Sequence, residues 1–162
     1  MVAPESHKAR VGAVASQAVL EARKAVEHAG CLLCGTGNRS GLGLDFRVQG
    51  DGSVAATFSC PRGYQGYDGA LHGGITSALL DAAMTNCLFA RGVVAVTVEL
   101  TVRYLSPVRL GEEAEVVGRL ERSEWMIHHL GAEVRQGGTV AARATAKFVD
   151  KRWVGSPAIR PA

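Results

Sequence analysis

The residues best placed to do chemistry are His72-Gly73-Gly74 and Asp81, nine positions after the histidine. From about Gly73 to Phe89 the chain is filled with Ala, Leu, Met and Ile and contains no proline. This predicts a helix that is apolar almost all round and therefore buried. The two glycines stand at its start, where backbone N–H groups lack intrahelical partners and carry a partial positive charge. Without side chains they let a carbonyl approach the backbone closely. Donors of this kind stabilise an oxygen that turns negative when water or a carboxylate adds to a carbonyl. Asp81 is the group to activate that water or to attack the carbonyl itself. A carboxylate in an apolar helix is costly unless partnered or used. His72 would fix the loop or orient the carbonyl.

Gly73 and Asp81 are eight residues apart, about 12 Å along a helix axis at ~1.5 Å per residue. One carbonyl cannot touch both. If both serve the same group, Asp81 must face the first helical turn of a neighbouring subunit. A two-fold dimer with antiparallel central helices meets this requirement and makes two equivalent sites.

The flanking segments set what holds this helix. Residues from about Ala3 to Glu27 read as an extra helix ended by Ala29-Gly30, and Cys31 to Gly43 as a loop. Leu44 to Val48 and Val54 to Ser59 read as strands joined at Gly50-Asp51-Gly52. Pro61 to Leu71 reads as a loop. Four further strands are predicted over Val93 to Leu105, Glu113 to Arg122, Met126 to Arg135 and Val140 to Val149. In the first of them Val94, Val96, Val98, Leu100 and Val102 alternate with Ala95, Thr97, Glu99, Thr101 and Arg103, which assigns Thr97 to the polar face. The predicted class is α+β: an antiparallel sheet wrapped around one long central helix. The expected organisation is an N-terminal helix over 1–30, one domain over 31–153 and a tail over 154–162.

Composition narrows the function. The formal net charge of +3 and the absence of a Lys/Arg block with interleaved aromatics point away from nucleic acid. No apolar run reaches membrane-spanning length. Glu5, His7, Lys8 and Arg10 precede any apolar stretch, so no secretory signal is expected and the location is expected to be cytoplasmic. The four cysteines would then be reduced.

Gly69-Ala70-Leu71-His72-Gly73-Gly74-Ile75, Leu79-Leu80-Asp81-Ala82-Ala83-Met84 and Val98-Glu99-Leu100 to Tyr104-Leu105-Ser106-Pro107 resemble the hotdog-fold thioesterases typified by the phenylacetate-degradation (PaaI-like) enzyme. Gly111-Glu112 resembles the turn that follows. Cys31-Leu32-Leu33-Cys34-Gly35 to Gly41-Leu42-Gly43-Leu44 resembles a lead-in of one branch of that family. The resemblance covers roughly residues 31 to 149. It implies hydrolysis of an acyl-CoA or aryl-CoA thioester, no cofactor, and a homodimer or dimer of dimers. It implies that Gly73, with Gly74 and His72, polarises the carbonyl and that Asp81 is the acid. A hydroxyl at Thr85 would assist Asp81, and one at Thr97 would stand near the attacking water. The family's usual Asn or Gln six residues before the histidine is Gly66 here, with Gln65 adjacent as the substitute. Tyr67 and Met84 are expected among the walls of the acyl pocket, and Arg62, Arg103, Arg109 and Arg152 are candidates to meet the phosphates of CoA.

Two other readings are a hotdog hydratase or dehydratase and a non-catalytic acyl-CoA binding module. No Asp-x-x-x-x-His motif supports the first, and Asp81 argues against the second. Cys31-x-x-Cys34 would need two more ligands to hold zinc, from His28, Cys60 or another subunit, so a packed loop and no metal are expected. His128 is expected to be a satisfied core histidine.

Overall fold

A computed structural model describes residues 14–154. The elements in chain order are α1 (Gln17–Glu27), β1 (Arg47–Val48), β2 (Val54–Phe58), α2 (Gly73–Phe89), β3 (Ala95–Tyr104), β4 (Ala114–Glu124), β5 (Ile127–Gln136) and β6 (Thr139–Asp150). The six strands form one antiparallel sheet in the order β1-β2-β4-β5-β6-β3. It wraps α2, whose residues from Ala82 to Phe89 are all buried. The central helix is therefore where its apolar composition puts it.

Differences from the sequence reading have local causes. α1 covers Gln17–Glu27 of the expected helix, Val14 to Ser16 are not helical, and the part expected before Val14 lies outside the described residues, as does nearly all of the expected tail. β1 keeps only Arg47 and Val48 of the predicted Leu44–Val48. The Leu44 N–H is taken by Leu33 O (2.8 Å) and the Val48 N–H by Gln17 Oε1 (2.8 Å), so neither the loop nor α1 leaves them for a ladder. Gly52 turns the β1–β2 connection with φ 79°, a value glycine adopts without strain.

The correction that matters most lies in β3. A bulge between Thr97 and Glu99 breaks the simple alternation. Thr97 pairs with Phe148, Leu100 with Ala146, Val102 with Ala144 and Tyr104 with Ala142, all on the face that covers α2. Thr97 thus leaves the polar face assigned to it by strict alternation and joins the core side, while Glu99, Thr101 and Arg103 stay outside.

His128 is fully buried and sits between Ser123 Oγ (2.9 Å) and Asp150 Oδ1 (3.0 Å), so its polar atoms are satisfied as expected of a core histidine.

The sheet and helix meet most tightly at Gly118 of β4. A Cβ there would stand 2.5 Å from Ala83 O and 3.0 Å from Met84 N, both backbone atoms of α2. Nothing flexible is available to move aside. Gly118→Ala is expected to destabilise the fold by about 2 kcal/mol, an overpacking cost that lowers Tm by roughly 5 °C. Thermal unfolding followed by circular dichroism checks this; an unchanged Tm would refute the close approach.

Candidate active site

The start of α2 is built by His72. Its extended backbone (φ −59°, ψ 132°) turns the chain into the helix, and its Nδ1 accepts a hydrogen bond from Gly74 N–H at 2.9 Å. The Ile75 and Thr76 N–H groups reach His72 O at 2.9 and 3.1 Å. Gly73 N–H has no acceptor among the described residues. Of the two glycines, Gly73 is therefore the one with a donor to offer, while Gly74 and His72 are committed to each other as a cap.

Gly73 faces a largely apolar groove of about 810 Å³, lined among others by Tyr67, Leu71, Thr76, Leu105 and Arg109. The Tyr104 ring forms another wall. Its hydroxyl donates to Gly73 O (3.0 Å) and shares a 2.6 Å hydrogen bond with Ser77 Oγ. Tyr104 was not placed in the site from the sequence. Its position at the end of the strand, directly before Leu105-Ser106-Pro107, was the available signal.

Asp81 lies two turns further along α2 and is not among the residues lining that groove. Its Oδ1 accepts a hydrogen bond from Thr97 Oγ1 at 2.6 Å, made possible by the bulge in β3. The side of α2 carrying Gly74, Ser77, Ala78 and Asp81 is only partly covered or open, whereas the next turns are buried. Thr85 follows Asp81 by one turn and is buried.

The remaining expected residues fall in two groups. Tyr67 is on the groove rim and almost fully exposed. Gln65 Oε1 accepts from Gly69 N–H (3.2 Å), which braces the 65–71 loop. At Gly66 a Cβ would stand 3.0 Å from His72 Cα, so the loop packs tightly where relatives are expected to carry an amide side chain. Met84 is fully buried in the core and does not line the groove. Of the four arginines considered for phosphate contacts, Arg109 alone lines the groove, and Glu112 holds it in a bidentate pair at 2.7 Å. That pair raises the Arg109 pKa and lowers that of Glu112.

Cys34, Cys60 and Cys87 offer no activated nucleophile. Burial pushes the Cys34 and Cys60 thiols up to about 11, and burial also raises that of Cys87. Among the described residues no helix is long and apolar enough to cross a membrane.

Comparison with known proteins agrees with this geometry. The sequence profile of the thioesterase superfamily matches residues 68–143, the stretch from the groove loop into the first residues of β6. The chain is 37% identical over 54 residues to acyl-coenzyme A thioesterase 13 of Mus musculus, a match spanning 32% of this chain and 39% of that relative. The human protein of the same name matches to the same extent. A crystal structure of a thioesterase superfamily protein superposes with a TM-score of 0.68 at 28% identity, covering 71% of this chain and 60% of the other. A phenylacetic acid degradation-related putative thioesterase from Ralstonia eutropha JMP134 superposes with a TM-score of 0.61 at 26% identity, covering 67% and 85%. The match thus spans well under half of the curated relatives. With the antiparallel sheet, its central helix and the His-Gly-Gly entrance all in place, the chain has the hotdog fold, and its segment 68–143 is similar to the thioesterase superfamily.

Proposed function

We propose that the chain hydrolyses an acyl-CoA or aryl-CoA thioester to the free acid and CoA, at a site shared by two subunits of a homodimer. The observation that carries this reading is the separation of the two reactive groups. Gly73, whose N–H has no acceptor among the described residues, lines the groove, while Asp81, held by Thr97, sits outside it on the partly covered stripe of α2.

The surface beside that stripe supports a second copy. β3 is the edge of the sheet, ten residues long. Val98, Leu100 and Tyr104 on it are 50%, 37% and 54% exposed, too much for a strand that faces a core. A long apolar edge is normally blunted or covered. A two-fold copy laid antiparallel along β3 and α2 would cover it and bring Asp81 of each chain to the Gly73 N–H of the other.

In such a site the thioester carbonyl oxygen accepts a hydrogen bond from Gly73 N–H. Asp81 either removes a proton from water as that water adds to the carbonyl carbon, or attacks the carbon itself to give an anhydride that water opens. In both routes the C–S bond breaks, and the thiolate leaves and is protonated. Gly73 N–H stabilises the oxyanion, and Thr97 fixes the carboxylate. The 37% identity to an acyl-coenzyme A thioesterase over the matched segment supports CoA as the thiol portion.

A free-thiol assay across short, long and aryl acyl-CoAs tests the reading. Steady thiol release from at least one class is expected. No release from any of them, or hydration of an enoyl-CoA without thiol release, would overturn it.

A further inference from the structure

Behind α2, away from the groove, the Cys31–Gly35 loop closes tightly on itself. Gly35 N–H donates to Cys31 O at 3.0 Å, and Leu33 N–H points at Cys31 Sγ at 3.4 Å. Any side chain at Gly35 would collide with the Cys31 backbone, so this turn requires glycine after the second cysteine. The result is a loop that turns both sulfurs toward one point, with a backbone N–H directed at the first sulfur. His28, at the end of α1, approaches the same point. Its Nδ1 is 3.7 Å from Cys34 Sγ, and its ring is braced edge-on by Phe89 at 4.8 Å between centroids. The ligand atoms of His28, Cys31 and Cys34 all lie within 4.8 Å of one another. Around a tetrahedral zinc, with Zn–S about 2.3 Å and Zn–N about 2.0 Å, neighbouring ligand atoms stand roughly 3.5–3.8 Å apart. The His28–Cys34 spacing already matches.

A second observation points to the same place. Asn86 of α2 is fully buried, and its Nδ2 donates to Ala82 O (2.8 Å) and to Cys34 Sγ (3.5 Å). Its Oδ1 is buried with no hydrogen-bond partner, the single such side-chain atom among the described residues. A buried acceptor left alone is costly and calls for a missing ion or water.

We propose that His28, Cys31 and Cys34 bind a soft divalent cation, zinc by its ligand chemistry, with Asn86 Nδ2 donating to the Cys34 sulfur from the helix side. Two thiolates and an imidazole suit zinc. No metal is expected from the sequence, because two further ligands are needed and only His28, Cys60 or another subunit could supply them; the fold brings His28 to the two cysteines as the third. None of the three lines the groove at Gly73, so the ion is a clamp joining the end of α1, the cysteine loop and α2. Cys31 and His28 are only half-buried, which leaves a path for entry.

The test uses the full chain purified with reductant and without chelator. Elemental analysis is expected to find about one zinc per chain. Cobalt(II) added after zinc removal is expected to give a thiolate-to-cobalt charge-transfer band and the intense visible bands of a tetrahedral site. Zinc is expected to raise Tm. Cys31→Ser, at a half-buried position, is expected to keep the fold, weaken metal binding by about 100-fold or more and lose the charge-transfer intensity and the zinc-dependent Tm rise; His28→Gln is a second variant for the same readouts. Reduced protein that binds no stoichiometric metal and gives no charge-transfer band would overturn the proposal, as would an unchanged cobalt spectrum in both variants.

Discussion

Asp81→Asn is expected to lower kcat for thioester hydrolysis by about 10³-fold while leaving the fold intact. The size follows from the role: loss of a general base or carboxylate nucleophile removes roughly 10²–10⁴ of rate. The intact fold follows from the geometry. Thr97 Oγ1 donates to Asp81 Oδ1, and the asparagine carbonyl oxygen accepts the same bond. Asparagine has nearly the same volume, so packing of α2 against the sheet is retained. The check is thiol release beside a melting curve. A rate loss with an unchanged Tm assigns the carboxylate to chemistry. Thiol release unaffected by the substitution would remove Asp81 from the mechanism.

Gly73→Pro is expected to cost about 10²–10³-fold in kcat, the usual effect of deleting one oxyanion donor. Proline removes the N–H and little else at this position. Gly73 is the first residue of α2, where proline is well tolerated because that N–H has no partner in the helix. The preceding His72, at ψ 132°, already has the backbone that proline requires of its neighbour. A Cβ at Gly73 would meet the Tyr104 ring at 3.5–3.6 Å, ordinary contact. Gly73→Ala is the control, since it adds the Cβ and keeps the N–H. It is expected to retain much more activity than the proline variant. Equal losses in the two would show that shape at the helix entrance matters and the N–H does not.

The central helix was legible because its signals agree. Its composition, its length and the His-Gly-Gly entrance all point to one buried element, and the structure places it over the expected residues. The long strands were legible for the same reason. What escaped was set by contacts between segments distant in sequence. β1 is short because Gln17 and Leu33 take its backbone groups, and no local pattern encodes that. The bulge in β3 moved Thr97 to the face of α2; a single extra residue inverts alternation without altering composition. The cap that His72 and Gly74 form rests on the 2.9 Å bond between them, a contact that residue types alone do not encode. Met84 sits among helix residues of similar character, so nothing in the sequence distinguished core from pocket wall. His28 joins the two cysteines because α1 ends beside their loop, a placement visible only once the fold is built.

The central claim is that each site draws Gly73 from one chain and Asp81 from another. Mixing Asp81→Asn chains with Gly73→Pro chains, under conditions that exchange subunits, tests it most directly. A heterodimer of the two contains one site with both groups intact and one with neither. Random exchange makes about half the dimers mixed, so activity is expected to return to about a quarter of the unsubstituted protein's. A mixture no more active than its two parents, with heterodimers shown to have formed, would contradict the shared site.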